Sequence, residues 1–162
     1  MSRRAPYGKR LEDCLEAIYV LQKEKGVVRV RDLAAMLHVK PSTVVGFLDR
    51  LVKEEYIEYE KREFIRLTQK GEEVASRIYE DHIKLREFLR KVLMLPDDIA
   101  EEDACYIEHG IHKETMSRIG LFLDFIDRHI EKQGFMNFLE RLRYFYEYRE
   151  LPEECKKRLR LG

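Results

Sequence analysis

Apolar residues recur at helical spacing along almost the whole chain and give way to strict alternation in one place only. The run Tyr56-Ile57-Glu58-Tyr59-Glu60 has period two, and so does Phe64-Ile65-Arg66-Leu67, with Lys61-Arg62-Glu63 between them. That pattern predicts a short β-hairpin. A chain with one hairpin and helices on both sides of it has no sheet large enough to carry a core. The expected fold is therefore mainly α.

The remaining punctuation is sparse and easy to place. Leu11, Leu15, Ile18 and Tyr19 share a helical face, and Gly26 ends that helix. Val30, Leu33, Ala34 and Leu37 outline a short second helix, with Asp32 favourable in its first turn. His38-Val39-Lys40 is a tight connection. Pro41 then opens a third helix, where its missing N–H costs nothing. Val44, Phe47, Leu48 and Leu51 form that helix's apolar face. After the hairpin, Thr68 caps a long helix carrying Val74, Ile78, Ile83, Leu85, Phe88, Leu89 and Val92, which ends near Leu95-Pro96. Pro96-Asp97-Asp98 opens another, running through Ala104 and Ile107 to Gly110. A further helix from Thr115 places Ile119, Phe122, Leu123 and Ile126 on one face. The stretch 135–148 is rich in aromatics and leucine, and Pro152 begins a last charged segment.

Composition excludes several classes. No apolar run is long enough to span a membrane, and no signal-peptide pattern is present. The three cysteines, Cys14, Cys105 and Cys155, are odd in number and far apart, which predicts a reducing cytoplasm rather than a disulfide framework. Each is then a small buried hydrophobe or a thiolate ligand. Basic and acidic residues both number 31, yet residues 1–70 hold fifteen basic against eleven acidic, and the remainder reverses the balance. A mildly basic first half is compatible with nucleic acid.

Helix, short helix, tight turn, helix and hairpin is the order of a winged helix-turn-helix. In that motif the second helix of the pair enters the major groove and its first residues reach base edges. Here that start is Lys40-Pro41-Ser42-Thr43, small and polar as groove contact requires. Ser42 and Thr43 suit phosphate or base contacts. Gly46 lets the backbone come close, Arg50 is expected near the phosphates, and Arg31 flanks the groove. Lys61 and Arg62 fall at the wing tip. A protein-interaction domain of the same shape is the alternative.

Cys105-Tyr106-Ile107-Glu108-His109 is the most informative segment. On a helix, Cys105, Glu108 and His109 share a face, being spaced i, i+3 and i+4. Thiolate, carboxylate and imidazole together are donors for a divalent transition metal. Asp13 and Glu16, three apart, lie off the apolar stripe of the first helix. His82 stands among apolar neighbours in the long helix. Taken alone, a carboxylate pair of this spacing is usually a solvated face, and a lone helical His is usually a core residue. The three helices could instead converge on one site. His38, His112 and His129 have no such company and are read as surface or structural.

With these residues in hand, the chain resembles the diphtheria-toxin-repressor family, and within it the shorter manganese-transport-regulator branch. The resemblance spans about residues 9–130. It is carried by Leu11-Glu12-Asp13-Cys14-Leu15-Glu16-Ala17-Ile18-Tyr19, by Val39-Lys40-Pro41-Ser42-Thr43-Val44 and by Ile107-Glu108-His109. It implies an N-terminal winged helix-turn-helix with a short β-hairpin wing over 1–71. An all-helical metal-binding and dimerisation domain over 72–162 would follow. It also implies a cytoplasmic repressor, not an enzyme. Such a protein binds double-stranded operator DNA as a homodimer when loaded with Fe(II) or Mn(II), in the service of metal-ion homeostasis. The implied metal ligands are Asp13, Glu16, His82, Cys105, Glu108 and His109.

The chain mixes two patterns within that family. Manganese-type members carry a carboxylate where Cys105 stands, and iron-type members carry methionine where Asp13 stands. A thiolate favours softer Fe(II), Co(II) or Zn(II), while Asp13 and Glu16 favour harder Mn(II). Arg86 replaces a carboxylate that serves an ancillary site in longer members, and Glu87 does not take its place. The chain ends before the SH3-like third domain of those members. Two rival readings are a metal-independent winged-helix regulator sensing a small molecule, and a metallohydrolase. The second lacks any motif such as His-Glu-x-x-His or a nucleophile arrangement.

Overall fold

The computed structural model describes residues 8–59, 64–129, 132–153 and 155. Helices α1 (Lys9–Lys25), α2 (Val30–Met36) and α3 (Pro41–Lys53) lead into strands β1 (Ile57–Glu58) and β2 (Arg66–Leu67). Helices α4 (Gln69–Lys91), α5 (Asp97–Ile107), α6 (Lys113–His129) and α7 (Lys132–Tyr148) follow. The architecture is mainly α, a winged helix-turn-helix followed by helices.

Local chemistry sets most boundaries. Gly26 ends α1 in the left-handed conformation at φ 73°, which glycine adopts without a Cβ penalty. Pro41 occupies the first turn of α3. The Thr68 hydroxyl accepts from the Gly71 N–H at 3.0 Å and so caps α4. Helix α5 ends at Ile107, three residues before the expected Gly110, although Glu108 keeps right-handed helical angles. The helical spacing of Cys105, Glu108 and His109 therefore survives in the turn that closes it.

The hairpin is shorter than its alternation implied. Ile57 faces Leu67 and Glu58 faces Arg66 in an antiparallel pair. Its base is tied inward by an unforeseen bridge, Val28 to Ile65, and by the Leu67 N–H donating to the Gln22 side chain. Gly71 in α4 presses on the Tyr56 carbonyl so closely that no Cβ would fit.

Two apolar cores divide the molecule. The first gathers Leu11, Leu15, Ile18, Val28, Leu33, Val44, Leu48 and Ile65 from α1–α3 and the hairpin, and it takes in Ala75, Val74 and Ile78 from the start of α4. The second centres on Leu85 and Leu89 of α4 with Ala100 and Ala104 of α5 and Met116 of α6. The handover falls in the middle of α4, and His82 stands in the gap. Of the expected α6 face, Leu123 and Ile126 are buried, while Phe122 stays partly exposed and meets Phe88 edge to face. No described helix is long and apolar enough to cross a membrane.

Candidate metal centre and nucleic-acid interface

All six residues singled out from the sequence meet at that handover. Asp13 and Glu16 project from α1 one turn apart, His82 from mid-α4, and Cys105, Glu108 and His109 from the end of α5. The close approach of α5 to α4 follows from Ala100 and Ala104, both fully buried and four residues apart. Small side chains at this spacing let the helices draw together and bring Glu108 against His82.

The donors fall into two overlapping sets. Atoms of Asp13, Cys105, Glu108 and His109 lie within 4.8 Å of one another, and so do atoms of Glu16, His82 and Glu108. Glu108 belongs to both. Its side chain is only 2% exposed, with Oε2 at 3.0 Å from His82 Nδ1 and Oε1 at 3.1 Å from His109 Nε2. His109 Nε2 also lies 2.7 Å from Asp13 Oδ1. Yet Asp13 Oδ1, Glu108 Oε1 and His109 Nε2 are buried with no hydrogen bond of acceptable angle. The contacts have ion-pair length, but the N–H does not aim at either oxygen. Three buried polar atoms that converge without satisfying one another would be costly. A cation among them would satisfy all three, so the residues present fit a divalent metal.

Electrostatics agree with that fit. Burial lifts the Glu16 carboxyl to about 7, with nearby Glu108 adding to the rise. Burial opposes a charge on His109, but the nearby side chains of Asp13, Cys105, Glu108 and Glu12 outweigh it and raise its pKa strongly. His82 is raised chiefly by its bond to Glu108. For Glu108, burial is again outweighed, here by His109 and His82, and its pKa falls. The surrounding carboxylates thus favour the charged form of both imidazoles. Cys14, next to Asp13, points into the first core; burial pushes its thiol up to about 12, which makes it an inert packing residue.

Two carboxylates at the site had escaped notice. Glu12 Oε2 accepts from His109 Nδ1 at 2.8 Å, and Glu101 Oε1 accepts from His82 Nε2 at 3.1 Å. Arg86 pairs with the other Glu101 oxygen at 2.9 Å. Arg86 had been noted only as a missing ligand. The available signal was spacing, since Glu12 is four residues before Glu16 and Glu101 four before Cys105.

The expected DNA-facing residues share an open surface. Lys40, Pro41, Ser42, Thr43, Gly46 and Arg50 are all exposed on α3, and space beside Gly46 is empty. No side chain caps the α3 N-terminus, and the Thr43 and Val44 N–H groups donate to the Lys40 carbonyl. Arg31 is exposed on α2 near Asp32. Lys61 and Arg62 lie outside the described residues.

Comparison with known proteins adds independent findings. Residues 7–64 match the family described as iron dependent repressor, N-terminal DNA binding domain. Residues 68–133 match iron dependent repressor, metal binding and dimerisation domain. The transcriptional regulator MntR of Bacillus pumilus is 36% identical over 122 residues, which cover 75% of this chain and 84% of the relative. MntR of Geobacillus thermodenitrificans is 39% identical over 110 residues, 68% of this chain and 77% of the relative. Among solved structures, IdeR of T. acidophilum is similar at 29% identity and a TM-score of 0.61, over 72% of this chain and 52% of that one. The manganese regulator SloR is similar at 27% and 0.64, over 71% and 54%. The chain thus spans about half the length of these solved relatives.

Proposed function

The chain belongs to the diphtheria-toxin-repressor and manganese-transport-regulator family of metal-dependent transcriptional repressors, and from that premise we propose that Fe(II) or Mn(II) bound by Asp13, Glu16, His82, Cys105, Glu108 and His109 sets its affinity for operator DNA. The observation that carries this reading is the pair of donor sets sharing Glu108, with Asp13 and Glu16 supplied by α1 of the DNA-reading half. A metal there ties α1 to α4 and α5. Without it, the pocket's carboxylates face one another with the imidazoles of His82 and His109 among them. Glu108 belongs to both donor sets and would hold metal together with either of them. Hard oxygens dominate the set, and the single thiolate of Cys105 softens one half of it.

The unit division follows the same reading: 1–71 reads DNA, and 72–162 binds metal and forms the homodimer, with the first turns of α4 buttressing the reading unit. In the duplex, the α3 start from Lys40 to Thr43 meets base edges, with Gly46 allowing close approach. Arg50, Arg31 and the wing residues Lys61 and Arg62 contact phosphates. Two such helices in a dimer match a palindromic operator. The protein works in the cytoplasm, in metal-ion homeostasis.

The test uses a duplex selected from a random library by the Mn(II)-loaded protein. Wild type is expected to bind it about 5–150-fold more tightly with Mn(II) or Fe(II) than without, the usual range of such coupling. Glu108→Ala, which removes the shared donor, is expected to lose that difference. Metal-free wild type that binds as tightly as the loaded form sinks the reading.

A further inference from the structure

The two imidazoles of the site are held from outside by carboxylates, and the two holds differ. Glu101 is 54% exposed in its side chain and stands on α5, which already packs on the α4 that carries His82. Glu12 is 12% exposed, its partner His109 is 5% exposed, and the bond joins residues 97 apart in the chain. Glu12 stands on α1, in the first core's unit, while His109 closes α5 in the second.

We propose that Glu12 is the positioning residue for His109: it fixes the tautomer and angle that present Nε2 to the metal, and so links metal binding directly to α1. This rests on the metal-centre reading above. An imidazole ligates through one nitrogen only, and the other must carry the proton. His109 Nε2 faces Asp13 and Glu108 at 2.7 and 3.1 Å, so the proton belongs on Nδ1, where Glu12 accepts it at 2.8 Å. An ionised acceptor at this position also makes the imidazole a stronger donor to a cation. Asp13 and Glu12 are consecutive, so α1 would touch the metal through Asp13 and hold its neighbouring ligand through Glu12. A ligand and the holder of a second ligand on one helix make α1 a two-point grip. Loss of the outer hold leaves His109 free to rotate, although every ligand is still present.

The experiment titrates full-length wild type, Glu12→Ala and Glu12→Gln with Mn(II) by calorimetry and records the visible spectrum of each with Co(II). Circular dichroism of the metal-free proteins checks that each is folded. Glu12→Ala is expected to weaken Mn(II) binding about 10–100-fold and to alter the Co(II) bands. Glu12→Gln keeps an acceptor oxygen of the same reach and is expected to restore the wild-type band positions with a smaller loss of affinity. Wild-type uptake of metal with both variants unchanged in affinity and spectrum overturns this inference alone. Equal losses in both variants with unchanged Co(II) bands also overturn it, because they mark a general structural effect. Wild type that takes up no stoichiometric metal overturns the metal-centre reading and this inference with it.

Discussion

The two halves of the chain are finished to different degrees. The first core draws fully buried side chains from α1, α2, α3 and the hairpin, among them Ile18, Val28, Leu33, Val44 and Leu48. The second rests on Leu85, Leu89, Met116 and two alanines. Beyond it α6 and α7 leave Leu121, Phe122, Met136 and Tyr144 substantially exposed. A DNA-reading unit must hold its shape whether or not it is engaged. A sensing unit must instead be incomplete in some way that an added group or chain can repair. The contrast teaches where regulation can enter: at the weaker half and at the charged seam between the halves.

The sharpest challenge to this contrast is Leu48→Ala. It empties a fully buried position of the first core and is expected to cost about 2–5 kcal/mol in chemical denaturation. The loss should be the same at low and high protein concentration. A loss that vanishes on raising concentration would mean that the first half is not self-sufficient.

Next in size is the pH dependence of the seam. His82 and His109 have folded pKa values above the usual 6.5, so their contribution to stability is present below that value and fades as pH rises through the folded values. Glu16, raised from 4.5 to about 7, likewise favours the fold below 4.5 and ceases to do so as pH passes about 7. Glu108 is lowered and acts the other way, but only as pH falls below 4.5. Between pH 5 and 8 the metal-free protein should therefore lose thermal stability. Mn(II) affinity should climb over the same window, by up to about tenfold per unit for each proton displaced. Affinity that stays flat between pH 6 and 8 would remove the imidazolium ions from the account.

A smaller effect probes the exposed face of the second half. Met136 on α7 is 50% exposed, and Met136→Glu is expected to weaken self-association by about tenfold, roughly 1.4 kcal/mol. Denaturation of the first core should be unmoved. Sedimentation velocity across a concentration series measures it, and an unchanged dimer fraction would take α7 out of the interface. Smallest is Thr68→Ala at the α4 N-terminus, expected to cost about 1 kcal/mol of thermal stability through the lost cap.

What could be read beforehand depended on how local each signal was. Gly26, Pro41 and Thr68 act within a few residues of themselves, and the helix ends they mark are where they were expected. Cys105, Glu108 and His109 were legible because one helical turn arrays them. Asp13, Glu16 and His82 were candidates from the residues alone but became ligands only through the family pattern, since nothing in a lone i, i+3 pair says which helix it will face. Glu12 and Glu101 were invisible for the same reason. Their i, i+4 spacing to Glu16 and Cys105 puts each on a ligand's face, but its role exists only once α5 is laid against α1 and α4. The Val28–Ile65 bridge is a pairing across distant segments that periodicity does not encode. The end of α5 at Ile107 was misjudged because its face continues into the turn, so the residue pattern does not mark where the helix stops.

Helix α4 has a mechanical consequence. It is 23 residues long, so it spans roughly 35 Å as a single stiff rod. Its front turns are bedded in one core, its rear turns in the other, and His82 sits at the fulcrum. Tilting such a rod by about ten degrees about its middle swings each end by roughly 3 Å, while the fulcrum barely travels. Small adjustments of geometry at the seam are thus magnified toward the Thr68 end, where Gly71 bears directly on the Tyr56 carbonyl at the root of the hairpin.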